Sequence, residues 1–329
     1  MGSRSRLRFI LRRLLHTGVT VWLVASIVFL MFRLIPGDPA AMLVDATFPS
    51  SLRLEILQRF GLDQPLHVQY VAYLANLARG DLGWSFFYNR PVTDIIGGAL
   101  VNTLVLALSS FLVAYGLGIA GGVVLAWKRK TRIDTYGTLL ALVFRASPAF
   151  WTGMLALMLF SYRLDWLPHA GLRTPGYAAA GLLGKYLSYD FLVHLTLPTL
   201  VMGLYYVGYP MLLVRNTMLE VFGEEFIEFA RARGLSEWRV MFVHALRNAL
   251  LPVVTAATVF LGLALGGQIV VEYTFSWPGL GREIVLATQH RDYPVAQAMF
   301  LVLAAGISLM NLLADLLYPY LDPRVRAHA

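Results

Sequence analysis

The sequence predicts an all-α, polytopic membrane protein with about six transmembrane helices, and three observations carry that expectation. The chain is 58% hydrophobic, above the ~45–50% apolar share of soluble domains. Its mean hydropathy is +0.64 and only 14% of its residues are charged. Several windows of roughly 20 residues are almost free of charge, each long enough to cross a bilayer as a helix. The absence of cysteine excludes disulfides and thiolate metal sites. The seven histidines are scattered, with no HExxH and no pair at zinc spacing, so no metal site is expected. The net charge of +8 is better explained by cytoplasmic Lys and Arg than by nucleic acid.

Six apolar spans are expected, at about 15–35, 99–127, 137–161, 193–218, 250–272 and 296–318. The first follows a basic head (Arg4, Arg6, Arg8, Arg12, Arg13). Its apolar run is longer than a signal-peptide core and no small-x-small cleavage site follows, so it reads as an uncleaved span. The Lys/Arg bias orients the chain. Sixteen basic residues lie in the head, the 128–132 loop, the loop from Arg215 to Arg247 and the tail, against nine in the opposite loops. Both termini are therefore expected in the cytoplasm. The expected organisation is a basic N-terminus (1–14), a first span (15–35), an extracytoplasmic helical region (36–98), a five-helix core (99–318) with a cytoplasmic loop at 219–249, and a cytoplasmic tail (319–329).

Within the outer region, Ser51 to Phe60 reads as a short helix ending at Gly61. Pro65 to Arg79 reads as another, with proline at its start and Gly80 at its end. Leu66, Tyr70, Tyr73, Leu74 and Leu77 form its apolar stripe, suited to lie on the outer face or cap a cavity. Further on, Trp277-Pro278-Gly279 reads as a rigid turn at the outer surface.

Few motifs carry chemistry. Gly116 to Gly121 matches GxGxxG but lies inside a span with no strand before it, which excludes a dinucleotide fold. No Walker A pattern occurs. Gly118/Gly122 and Gly262/Gly266 form GxxxG pairs, the spacing that lets membrane helices approach closely. Arg145, Ser147 and Pro148 in the third span, and Asn311 and Asp315 in the sixth, are candidates for the pathway or its gate, because ionisable groups in a span need a partner or a wet cavity. The alternative is that Arg145 and Asp315 reach toward cytoplasmic headgroups. Pro148, Pro198 and Pro210 are expected to kink their helices.

The loop between the fourth and fifth spans is patterned as two short amphipathic helices. Phe222, Phe226 and Phe229 recur at i, i+4, i+7, with Glu224, Glu225, Glu228 and Arg231 mostly elsewhere. Gly234 is placed to end that helix and Ser236 to cap a second one. In the second, Trp238, Met241, Phe242, Ala245, Leu246 and Ala249 fall on one apolar face. The mixed charge argues against a helix lying on lipid and for one that docks on a soluble partner.

Glu228-Phe229-Ala230-x3-Gly234, followed by Leu251-Pro252, resembles the EAA loop of ABC importer permeases. Phe229 stands where the pattern has its first alanine, and Gly-to-Pro spans 18 positions where the short form has 13. The longer form, with Arg231 to Ser236 and His244 to Ala249, is similar to the dipeptide/oligopeptide/nickel branch. Arg33 to Pro39, Gly80 to Ser85, Ser147-Pro148-x-Phe150-Trp151, Asp165 to Pro168, Phe275 to Gly281 and Leu321 to Arg324 agree with that branch, so the resemblance covers nearly the whole chain.

The resemblance implies a type I (MetI-like) importer permease fold and a subunit that moves peptides or a related solute such as a nickel chelate. It implies a homologous second permease subunit, two ATPase subunits that bind the ATP and Mg, and an extracytoplasmic binding protein, in a bacterial or archaeal cytoplasmic membrane. No cofactor and no enzymatic chemistry are implied for this chain. Glu225, Glu228, Phe229, Ala230, Arg231, Ala232, Gly234, Leu235 and Arg239 would then form the ATPase-coupling loop. Two other classes compete. A secondary transporter would want charges near mid-membrane and often an internal repeat. A membrane-embedded enzyme would want a paired nucleophile and base, whereas His194 and Ser147 are isolated.

Overall fold

The computed structural model describes residues 3–34, 63–177, 181–266 and 268–321. Its helices follow the apolar windows. Helix α1 is Ser3–Arg33, α2 is Leu66–Ala78 and α3 is Val92–Trp127. Then come α4 (Arg132–Ala146), α5 (Ala149–Ala156), α6 (Gly181–Leu187) and α7 (Tyr189–Val221). Short α8 (Glu225–Ala232) and α9 (Glu237–Arg239) precede α10 (Leu246–Gly266). Helices α11 (Ile269–Thr274), α12 (Leu280–Gln289) and α13 (Tyr293–Leu321) complete the order. Among the described residues five helices are long and apolar enough to cross a membrane, and six if α4 and the helical stretch Ala149–Arg163, which α5 opens, form one broken span.

The α3–α7 pair is the centre of the fold. A side chain on Gly118 would sit 2.6 Å from Pro210 Cγ, and one on Gly122 would sit 2.5 Å from the Met211 carbonyl oxygen. The two glycines are therefore what lets the backbones meet, as the GxxxG spacing predicts. Gly266 faces Ile307; the Gly262 half of the second pair has no described side-chain surroundings. Around this pair, α4 packs on α7, α10 on α13, and α1 on the outside of α13. At one end of the bundle Arg215 grips Asp134 through two hydrogen bonds, of 2.6 and 2.9 Å, fixing α7 to α4 beside the basic 128–132 loop. Bidentate arginine–carboxylate pairs are among the stronger polar contacts.

The opposite end is tied by buried polar groups. Glu272 accepts from Thr103 Oγ1 at 2.6 Å and from the Gly281 amide at 2.7 Å. Asp292 accepts from Ser85 Oγ at 2.5 Å and from the Phe87 amide at 3.1 Å. Tyr88 donates to Glu283 at 2.8 Å. Burial and that carboxylate push the Tyr88 phenol up to about 12, so it stays a donor. Trp277 is fully buried, packs on Phe191 and donates its indole N–H to the Asn102 carbonyl. The Trp277-Pro278-Gly279 turn thus keys into the bundle instead of standing at its surface.

Several boundaries differ from the sequence reading. The second span begins at Val92 instead of 99, because Pro91 can start a helix without an N–H to satisfy. The third span is interrupted at Ser147-Pro148, and its halves bend by 99°. The fifth span runs from 246 to 266, and residues 269–274 form the separate α11. Helix α2 lies where the 65–79 pattern placed it. It packs on the end of α1, with Tyr70 and Tyr73 against Phe29 and Gln69 accepting from Arg33 at 2.6 Å. The expected helix at 51–60 lies outside the described residues, as do Arg324 and Arg326 of the tail.

Candidate functional site

Helix α8 stands at the end of the molecule that carries the Asp134–Arg215 pair. Glu224 is extended (φ −80, ψ 143) and opens the helix, and Glu225 and Glu228 occupy its first turn, where the dipole favours anions. Arg231 lies in the last turn. Gly234 then adopts φ +76; its amide donates to Arg231 and that of Leu235 to Ala230. This double bond pattern is a Schellman motif, which needs a residue at ease in the left-handed region.

The two faces of α8 differ in environment. Ile227 and Ala230 are buried in a cluster with Met218 of α7, Ala126 of α3, and Val240, Met241, Ala245, Ala249 and Val253 leading into α10. Phe226 and Phe229 face outward, Phe229 at 65% exposure, with the Arg233 guanidinium over its ring. Glu225, Glu228, Ala232 and Arg239 are exposed, and Leu235 is half-buried. Among the described residues Glu225, Glu228 and Arg239 form no ion pair, whereas Arg231 pairs with Glu237 at 2.9 Å.

Two facial assignments from the sequence are corrected. Of the phenylalanine stripe, Phe226 and Phe229 face outward while Phe222 packs against the buried cluster, and Ile227 with Ala230 is the inward face of the helix. Trp238 also leaves its expected face: it is 63% exposed and stacks on Phe242 at 4.1 Å. The reason is the π-helical turn at Val240–Ala245, whose wider turn rotates everything before it relative to an ideal α-helix.

The structure separates the pathway candidates. Arg145, Ser147 and Pro148 cluster at the break between α4 and α5; Arg145 is exposed and among the described residues has no ion-pair partner. Ser147 Oγ donates to the Val143 carbonyl at 2.8 Å, the local bond that ends α4. Asn311 is exposed on α13. Asp315 joins Arg13 of α1 at 2.7 Å, with both side chains over one-third exposed. That places Asp315 in a tether between two helices. Asp134 and Glu272 were not singled out from the sequence. Asp134 sits two residues from Arg132 and reads locally as part of a charged loop; its partner is 81 residues away.

This arrangement has known counterparts. Residues 118–327 match the family described as binding-protein-dependent transport system inner membrane component, and residues 6–107 match the family of the N-terminal part of such membrane components. The glutathione transport system permease protein GsiC of Salmonella paratyphi A is 38% identical over 320 residues, which is 97% of this chain and 99% of that protein. A putative peptide permease protein of Brucella suis biovar 1 is 37% identical over 324 residues, with the same coverage of 97% and 99%. The inward-facing MetNI methionine ABC transporter shares the fold, with a TM-score of 0.54 at 17% identity over 69% of this chain and 96% of that one.

Helical bundle, broken span and projecting loop together define a multi-pass ABC permease subunit of an importer. The chain belongs to the inner-membrane-component family of binding-protein-dependent transport systems.

Proposed function

We propose that the chain forms half of the translocation pathway of an ATP-driven importer for peptides or for glutathione-like solutes. The names of the relatives at 38% and 37% identity support the cargo class. A homologous second permease subunit would supply the other half. Two ATPase subunits would bind ATP and Mg, and an extracytoplasmic binding protein would deliver cargo to the end built around Trp277. The Lys/Arg bias supports both termini and α8 on the cytoplasmic side of a bacterial or archaeal membrane.

The observation that carries this reading is the two-faced α8. Its outer face offers two free carboxylates and an exposed phenylalanine to a basic partner cleft. Its inner face is buried among residues of α3, α7 and the lead-in to α10. A push on the outer face would therefore reach three spans at once. Such coupling requires the partner to contact the two transporter states differently. Gly234→Asp is the test, because it strains the Schellman turn (φ +76) and adds charge beside the docking face. In the purified full complex, we expect assembly to survive while ATPase stimulation by loaded binding protein falls at least fivefold. Normal stimulation together with normal uptake contradicts the role.

A further inference from the structure

We propose that Arg145 is the cation past which the cargo's carboxylate moves, so that this permease favours anionic and zwitterionic solutes. The inference rests on the cargo class argued above. It begins with depth. Arg145 lies eleven residues along α4 from Asp134, whose pair with Arg215 stands beside the basic loop at the membrane edge. Eleven residues of helix rise ~16 Å, and the hydrocarbon layer is ~30 Å thick. Arg145 is therefore near mid-membrane. Across the interface, a side chain on Gly208 of α7, seven residues or ~10 Å of helix from Arg215, would sit 2.5 Å from the Ala141 carbonyl oxygen and 3.4 Å from Arg145 Cβ, which puts Arg145 at least that deep.

The second observation is the backbone. Directly after Arg145 the span breaks and bends by 99°. Pro148 has no N–H to give to the Phe144 carbonyl. Non-helical backbone at this depth is tolerated only inside protein or along a water-filled cavity. Arg145, Ala146 and Pro148 are all exposed in this chain, so its own helices do not cover the break, and the proposal places that face on the cavity shared with the second permease subunit. The third observation is charge. An arginine at mid-membrane needs a counter-charge or water. The acids of the neighbouring elements are committed elsewhere: Asp134 to Arg215, Asp315 to Arg13, and Glu272 to Thr103 and Gly281. Tyr205, Tyr206 and Tyr209 of α7 and Phe260 of α10 supply an aromatic cluster at the level of Gly208. A forked guanidinium suits transient bidentate contact with a carboxylate.

The chain has no cysteine, so Arg145→Cys places its single thiol at the site. The full transporter in proteoliposomes would be assayed for uptake of trialanine and S-methylglutathione, with the mass of this subunit read after methanethiosulfonate treatment. Expected results are uptake reduced at least tenfold, labelling of position 145 by the water-soluble sulfonatoethyl reagent, and recovery of at least half the uptake after a trimethylammonium-ethyl adduct. A methyl adduct should give no recovery. Absence of labelling, undiminished uptake by the variant, or equal recovery with the neutral adduct overturns the proposal. If Arg145→Cys does not assemble, Arg145→Lys should transport at least fivefold faster than Arg145→Gln, and equality overturns it. A wild-type transporter that takes up neither probe contradicts the cargo class, and this inference falls with it. A working wild type beside an equally active Arg145→Cys contradicts the inference alone.

Discussion

At the residue scale, exposure decides which charges matter for stability and which for partnership. Glu228 is exposed and, among the described residues, unpaired, so its loss removes no internal contact. Surface substitutions of this kind usually stay within ~0.5 kcal/mol. Glu228→Lys should therefore leave the thermal midpoint of the detergent-purified complex unchanged while lowering binding-protein-stimulated ATPase activity at least fivefold. A parallel loss of both would move Glu228 from docking to folding. Asp315 gives the opposite case. Its pair with Arg13 is over one-third exposed on each side, and such pairs contribute ~0–1 kcal/mol. Asp315→Asn should keep uptake within twofold of wild type. A tenfold loss would restore the gating role that its position in the sixth span first suggested.

At the element scale, the fold joins its helices through buried faces that a linear pattern only half reveals. The apolar windows gave the long helices because hydropathy over ~20 residues is a local property. Gly234 was visible as a helix stop because only its backbone freedom was at issue. The inward face of α8 was not visible: Phe226 and Phe229 are more apolar than Ile227 and Ala230 by size, and only the packing of three distant helices selects the smaller pair. The π-helical turn at Val240–Ala245 likewise has no local signature, and it moved Trp238 outward. At Ser147-Pro148 a kink was expected, but the 99° bend depends on what surrounds α5. Two substitutions measure the mechanical continuity. Ile227→Ala, at a fully buried site, should cost ~2–4 kcal/mol. Arg215→Ala, which strands the nearly buried Asp134 carboxylate, should cost ~3 kcal/mol. Both should lower the unfolding midpoint of the assembled complex, and Ile227→Ala should also weaken stimulation by loaded binding protein. Unchanged midpoints for both would mean that α8 and the α4–α7 brace are not fastened as described.

At the scale of the whole molecule, the two ends are built differently. One end carries the basic loop, the Asp134–Arg215 brace and the exposed face of α8. The other is sewn together by Glu272, Asp292 and Trp277, whose partners come from segments up to 207 residues apart. Those long-range bonds explain why counting charges yields an expected side of the membrane for that end but no detail of its assembly. The chain has no Walker A pattern, and α8, with its exposed outer face, lies at the basic end. On the proposed function, energy reaches this subunit through α8. The direct measurement is site-specific photocrosslinking in the native complex from position 229, with Tyr162 at the far end of the broken span as control. Position 229 should crosslink to an ATP-binding subunit, with a yield that changes with nucleotide, and position 162 should not. Crosslinking from position 229 to lipid alone, or to no ATP-binding subunit in any nucleotide state, would contradict the proposed function.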